Sequence, residues 1–213
     1  MRSIHSLLVV FLVLALMVMA CTPPASTRPS ASPTPLGPQV TAPSHISGEK
    51  WLSAKEAVAL AYDALTAEWK PTAKLAFVGR YSQFCNVGCS PYLVEEDTGI
   101  GSDGRQAHWI VIFADGTAST ADVFYVEKGK AKLVKSDVAM IRPAQLFDLG
   151  GWVDSTEIQF RSSQRVGLEL KTNEAFVGID AELERYPLLW MAETSFGRYD
   201  VYDAKSGKFI KSR

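Results

Sequence analysis

The sequence has little of the material from which catalytic and metal sites are built: three cysteines and three histidines among 213 residues. His108 is the only histidine in residues 48–213, and no Gly-x-Ser-x-Gly motif occurs, so the sequence gives no argument for a Ser-His-Asp set. The charge is balanced, with 22 basic and 23 acidic side chains. A nucleic-acid-binding protein would carry a strong positive excess, which is absent here. We therefore expect no enzymatic activity, no cofactor and no nucleic-acid partner.

The one long apolar run, residues 7–20, follows the basic side chain of Arg2. Fourteen residues of helix cover about 21 Å, less than the ~30 Å of a bilayer core, which favours an export signal over a permanent span. The run ends in Val18-Met19-Ala20-Cys21, which resembles the lipobox of bacterial lipoproteins. This resemblance implies cleavage after residue 20 and acyl chains, palmitate among them, on Cys21. The alternative is an ordinary signal, or an uncleaved anchor, with an incidental cysteine.

The lipoprotein signal implies a chain held at the cell envelope, on the outer side of the cytoplasmic membrane or at the outer membrane of a diderm cell. Residues 21–47, after the signal of residues 1–20, consist mainly of Pro, Ser, Thr and Ala. Such a segment buries too little apolar surface to offset its ordering entropy, which predicts a disordered tether. At about 3 Å per residue it reaches up to about 80 Å.

The first half of the remaining chain reads as one helix followed by a meander of strands. Ser53 and Glu56 have the spacing of a capping box, and Ala54, Val58 and Ala61 then recur at helical spacing. A turn at Gly129 separates two apolar runs, which predicts a hairpin. Strands are predicted in this half at residues 75–81, 109–113, 123–126 and 131–134.

The second half repeats this order with weaker signals. Trp152 precedes Asp154 and Ser155 as Trp51 precedes Ser53, which predicts a second capped helix running on to Leu170. Strands are predicted in this half at residues 177–183, 188–191, 199–204 and 208–210. The sequence therefore predicts an α+β fold, a duplicated helix plus antiparallel β-meander, after a signal peptide and a disordered linker.

Two segments carry a resemblance to a known family. The strand and turn of residues 198–210, which end in Asp-Ala-x-x-Gly, look like the closing signature of PepSY-type domains, and residues 53–61 are similar to the helix that opens them. The resemblance implies two degenerate PepSY-like repeats, residues 48–150 with a cysteine-containing loop insertion and residues 151–213. It also implies a small non-catalytic envelope module, in some members tied to peptidase inhibition or peptide binding.

Cys85 and Cys89 stand four positions apart in a polar loop. Outside the cytoplasmic membrane two remaining thiols most simply pair with each other, which predicts a disulfide. The alternative is a redox or copper/zinc site formed by Cys85, Cys89 and His108. Envelope copper chaperones of the Sco type use such a pair with a distant histidine, but their thioredoxin fold does not match the predicted element order.

Two further features have simpler explanations. The acidic, glycine-rich residues 95–104 lack the ligand spacing of a Ca²⁺ loop and are expected to be solvated. Trp109, Trp190, Tyr199 and Tyr202 could line a binding face, although strand aromatics first of all serve packing. We therefore expect a lipid-anchored binding module that presents its β-sheet to a peptide or protein outside the membrane, through residues that the sequence does not identify.

Overall fold

Within the described residues, eight antiparallel strands form one sheet and a single α-helix packs on one of its faces. The computed structural model describes residues 50–80, 100–117, 120–138, 142–162, 165–175, 181–194 and 198–213, all in one compact unit. Helix α1 spans Ala54–Ala64. The strands are β1 Lys74–Gly79, β2 His108–Ala114, β3 Ala121–Glu127, β4 Lys130–Lys135, β5 Arg165–Thr172, β6 Leu188–Thr194, β7 Tyr199–Asp203 and β8 Phe209–Ser212. No helix among these residues is long and apolar enough to cross a membrane.

The sheet has the spatial order β4-β3-β2-β1-β5-β6-β7-β8, so each half of the chain contributes four consecutive strands. The halves join where β1 pairs with β5, with Val78 opposite Leu170 and Gly79 opposite Glu169. A Cβ atom at Gly79 would lie 2.9 Å from the carbonyl oxygen of Leu168. The close approach of the two central strands therefore requires glycine at this position.

Helix α1 begins as the sequence predicts. Ser53 Oγ accepts a hydrogen bond from the Glu56 amide at 3.3 Å, and Glu56 Oε2 accepts one from the Ser53 amide at 2.8 Å. These two bonds form the predicted capping box. The small apolar side chains of α1 face the sheet and are buried. The local signal was sufficient because a capping box involves residues only three positions apart.

The predicted fold class, a duplicated helix plus meander, is wrong. The expected second helix is replaced by a 3₁₀ turn at Ser155–Glu157 and by strand β5, which the sequence analysis missed. Along β5 the buried Leu168 and Leu170 alternate with the half-buried Glu169, the period of a strand, and Gly167 further disfavours a helix.

The predicted second cap closes its own 3₁₀ turn and also has a task that was not expected. Ser155 Oγ accepts a hydrogen bond from the Ala54 amide at 3.0 Å, and Asp154 Oδ1 accepts one from the Lys55 amide at 3.0 Å. These amides belong to the first turn of α1, which has no intrahelical partners for them. The second half of the chain therefore caps the helix of the first half.

The two halves nevertheless correspond in one structural detail. Trp109 Nε1 on β2 donates to the carbonyl oxygen of Leu52 at 2.9 Å, and Trp190 Nε1 on β6 donates to that of Val153 at 3.1 Å. Each tryptophan lies on the second strand of its meander and binds the segment that precedes a capping box. The correspondence thus covers the capped turn and the four strands but not the helix.

The predicted strands of the first meander overlap β1 to β4, and the last three predicted strands overlap β6 to β8. The predicted hairpin at Gly129 is confirmed. Lys128 and Gly129 both have positive φ angles, 49° and 74°, as a two-residue type I′ turn requires. The strand expected at residues 177–183 falls largely outside the described residues, and its described part, residues 181–183, lies in a turn.

Both faces of the sheet carry buried apolar side chains. The face under α1 holds the largest cluster, in which Trp109, Phe113, Trp190 and Tyr202 are fully buried. The opposite face has smaller clusters: one lies on β1, β2 and β3, and another packs Leu189 and Val201 against Leu183. Exposed binding surface must therefore be sought at the margins of the sheet rather than across its middle.

Candidate functional site

Three of the four predicted site residues lie outside the described residues: Cys21, Cys85 and Cys89. Lipid on Cys21 and a disulfide between Cys85 and Cys89 therefore stay predictions from the sequence. The same holds for the alternative metal site, because two of its three ligands are these cysteines. Among the described residues no group of three or more His, Cys, Asp or Glu side chains is placed to hold a metal ion.

His108, the fourth predicted residue, opens β2 on the face opposite α1. Its Nδ1 atom lies 2.8 Å from the Tyr125 hydroxyl and 3.7 Å from Glu127 Oε2. The rings of His108 and Tyr125 stack with their centroids 5.7 Å apart. The imidazole is thus held in place by two side chains of β3, which is a structural arrangement across neighbouring strands.

The acidic loop and the aromatic residues also have structural roles. Asp103 Oδ1 accepts a hydrogen bond from the Arg105 amide at 3.2 Å, within the described end of the loop, while residues 95–99 lie outside the described residues. The aromatic side chains of Trp109, Trp190 and Tyr202 are fully buried. These three residues belong to the core and do not form a binding face.

A charged pair occupies the centre of the sheet on the face opposite α1. Lys171 Nζ lies 2.8 Å from Glu169 Oε2, and both side chains are largely buried. Burial raises the pKa of Glu169, and the neighbouring Lys171 opposes this by lowering it. Burial also raises the pKa of Tyr199, with Glu193 and Glu169 adding to the effect. The pair spans two positions of one strand and offers no free group to a ligand.

The most accessible of the described strands is β4, at one end of the sheet. It pairs with β3 on one side, and no described strand pairs with its other side. Lys130, Lys132 and Leu133 are exposed, and the Leu133 side chain is 46% exposed, the highest value among the described large apolar residues. An outer strand with free backbone groups can accept a strand from another chain.

The register of the hairpin identifies the free backbone groups. A two-residue loop closes on a hydrogen-bonded pair, here Glu127 and Lys130, and the pairs then alternate between bonded and non-bonded. Ala131 opposite Val126 therefore belongs to a non-bonded pair, as does Leu133 two residues further on. The amide and carbonyl groups of Ala131 and Leu133 point away from β3.

The edge is also basic. Lysines occupy positions 128, 130, 132 and 135, and residues 128–136 contain no carboxylate. Lys50 lies beside the hairpin tip, since its Cδ atom would be 3.3 Å from a Cβ atom on Gly129. The alternation of lysine and apolar residues was visible in the sequence, but only the structure shows that this strand is outermost.

No protein-family model, curated protein or solved structure matches this chain. The PepSY resemblance therefore stays a prediction, and the duplicated helix that it implied is absent from the described residues.

Proposed function

We propose that this protein is a lipid-anchored, non-catalytic binding module of the cell envelope, which captures a peptide or protein segment outside the membrane as a further strand on β4. The single observation that carries the proposal is the open edge of β4, with outward backbone groups at Ala131 and Leu133. The export signal, Cys21 and the tether support the location. A reach of about 80 Å would let the edge meet partners well away from the membrane.

In strand addition, the main chain and the side chains contribute differently to recognition. Main-chain hydrogen bonds supply affinity for any extended segment, and the side chains along the edge select among such segments. β4 has six residues, so it offers about 20 Å of edge, a common strand length. The regulation of an envelope peptidase is one form that this activity would take.

Photo-crosslinking in the native envelope tests the proposal. Benzoylphenylalanine in place of Leu133 should form an adduct with a partner, whereas the same group in place of Asp63, exposed on α1, should not. Ala131→Pro removes an outward amide without breaking the ladder to β3, and should abolish the adduct. Equal adducts at both positions, or an adduct that survives Ala131→Pro, would contradict capture by strand addition.

A further inference from the structure

Two kinds of side chain alternate along β4. Ala131 packs against the core cluster under α1, and Leu133, two positions on, lies on the same face. Lys130 and Lys132 lie on the opposite face, with Lys132 across from Tyr125 of β3. Side chains of an added strand would lie directly beside those of β4, so its two faces would meet two different surfaces.

Lys130 has no acidic partner within the hairpin. Glu127 is directly opposite Lys130 in the register, yet its carboxylate lies near His108 instead. Within the described part of the chain Lys128, Lys130 and Lys135 make no ion pair. A carboxylate brought next to Lys130 would therefore find a cation ready to pair with it.

The opposite face of the same strand offers apolar contact. Leu133 is 46% exposed although it lies on the face that α1 partly covers. An apolar side chain on an added strand would pack against Leu133 and remove both groups from water. A lysine-rich edge whose only task was to repel other strands would gain nothing from an exposed leucine here.

From this juxtaposition we propose that the partner segment of β4 is extended and alternates acidic with apolar side chains, the acidic ones beside Lys130 and Lys132 and the apolar ones beside Ala131 and Leu133. This inference deepens the function proposed above and rests on it. The lysines set which segment binds and at what ionic strength, and the backbone groups set where it binds.

The test uses the full chain in detergent and a fluorescein-labelled, capped peptide of three Glu-Val repeats. Fluorescence anisotropy should show binding that weakens as salt is raised. Leu133→Pro should weaken it about tenfold, because an outward amide is lost and a ring blocks the edge, and the matched Leu133→Ala should weaken it less. The charge variant K130Q/K132Q should weaken binding several-fold and remove most of its salt dependence.

Hydrogen exchange locates the bound segment on the same sample. The outward amides of Ala131 and Leu133 should exchange more slowly once the Glu-Val peptide is added, while amides on α1 should not change. Protection elsewhere, with none at these two positions, would overturn the proposed site.

Two control peptides distinguish a failure of the acidic-segment inference from a failure of the proposed strand capture. If three Lys-Val repeats bind as tightly as the Glu-Val peptide, and Leu133→Pro still weakens binding about tenfold, strand capture stands and the acidic class is refuted. If neither alternating peptide binds, both proposals fail. A peptide of three Glu residues followed by three Val residues has the same composition but does not alternate, and it should bind more weakly.

An anionic membrane surface is the competing occupant of a basic hairpin. The full chain is therefore reconstituted in phosphatidylcholine and in phosphatidylglycerol vesicles, without peptide. Equal exchange at residues 130–135 in both is expected from a peptide-binding edge. Protection in phosphatidylglycerol alone, lost in K130Q/K132Q and retained in Leu133→Pro, would assign the lysines to lipid headgroups and overturn the proposal.

Discussion

The start of α1 depends on side chains about a hundred positions away, so Ser155→Ala is the most informative perturbation of the fold. Ser155 is fully buried, and its hydroxyl accepts the hydrogen bond of the Ala54 amide at 3.0 Å. Removal of the hydroxyl leaves that buried amide with no acceptor. An unpaired buried polar group of this kind costs about 1–3 kcal/mol of unfolding free energy.

The local cap provides the comparison. Ser53 Oγ accepts from the Glu56 amide at the longer distance of 3.3 Å, in a bond that is only partly buried because Glu56 is exposed. Loss of such a cap costs about 1 kcal/mol. We therefore expect Ser155→Ala to destabilise the protein at least as much as Ser53→Ala, although Ser155 lies outside the helix.

Urea unfolding followed by tryptophan fluorescence measures both variants, because Trp152 and Trp190 pack against each other close to the cap. The exposed Ser102→Ala is the matched control and should change the unfolding free energy by less than about 0.5 kcal/mol. If Ser155→Ala falls within the range of this control, the bond from the second half contributes nothing, and the reasoning about the cap is refuted.

Three further predictions follow. Gly79→Ala should cost about 1–3 kcal/mol, because its Cβ would press on the Leu168 carbonyl at the β1–β5 junction; Gly116→Ala, with no atom nearer than 3.4 Å, is the control, and equal urea midpoints for the two would contradict it. Burial raises the pKa of Glu169, so the protein should lose stability as pH rises through the range in which this carboxyl ionises; Glu169→Gln should remove this part of the pH dependence in urea titrations. Intact mass of envelope-purified protein should show lipid on Cys21, and the two loop cysteines should take up an alkylating label only after reduction; uptake without reduction that copper blocks would favour the metal alternative.

The elements that the sequence predicted well are those whose signals are local. The capping box of Ser53 and Glu56, the turn at Gly129 and the apolar runs of β2 and β3 each involve neighbours within a few positions. Strand β5 was missed although Leu168, Glu169 and Leu170 alternate as in a strand, because the cap signal before it favoured a helix. Its central place depends on pairing with β1, far earlier in the chain. The cap signal at Asp154 was correct, because Asp154 caps a 3₁₀ turn, but no α-helix follows that turn and the same carboxylate also binds the first turn of α1.

The candidate site was missed for a related reason. Alternating lysine and apolar residues on β4 read the same whether the strand is central or outermost. The position of β4 depends on the strand that follows it. Because β5 pairs with β1 and not with β4, β4 is left as the outermost strand. No residue within 130–135 encodes this pairing, so the open edge is a property of the whole topology.

The same topology leaves a second outer strand, β8, and its comparison with β4 supports the choice of β4 as the proposed binding edge. β8 also has a lysine and a large apolar residue, but Lys211 Nζ lies 3.2 Å from Glu182 Oε2, and the Phe209 ring packs on Tyr202 with centroids 5.7 Å apart. The Arg161 guanidinium lies over the same ring, 4.7 Å from its centroid. Cation and apolar surface at β8 are thus satisfied within the chain. At β4 Lys130 and Leu133 remain exposed, and the proposed partner strand would contact them there.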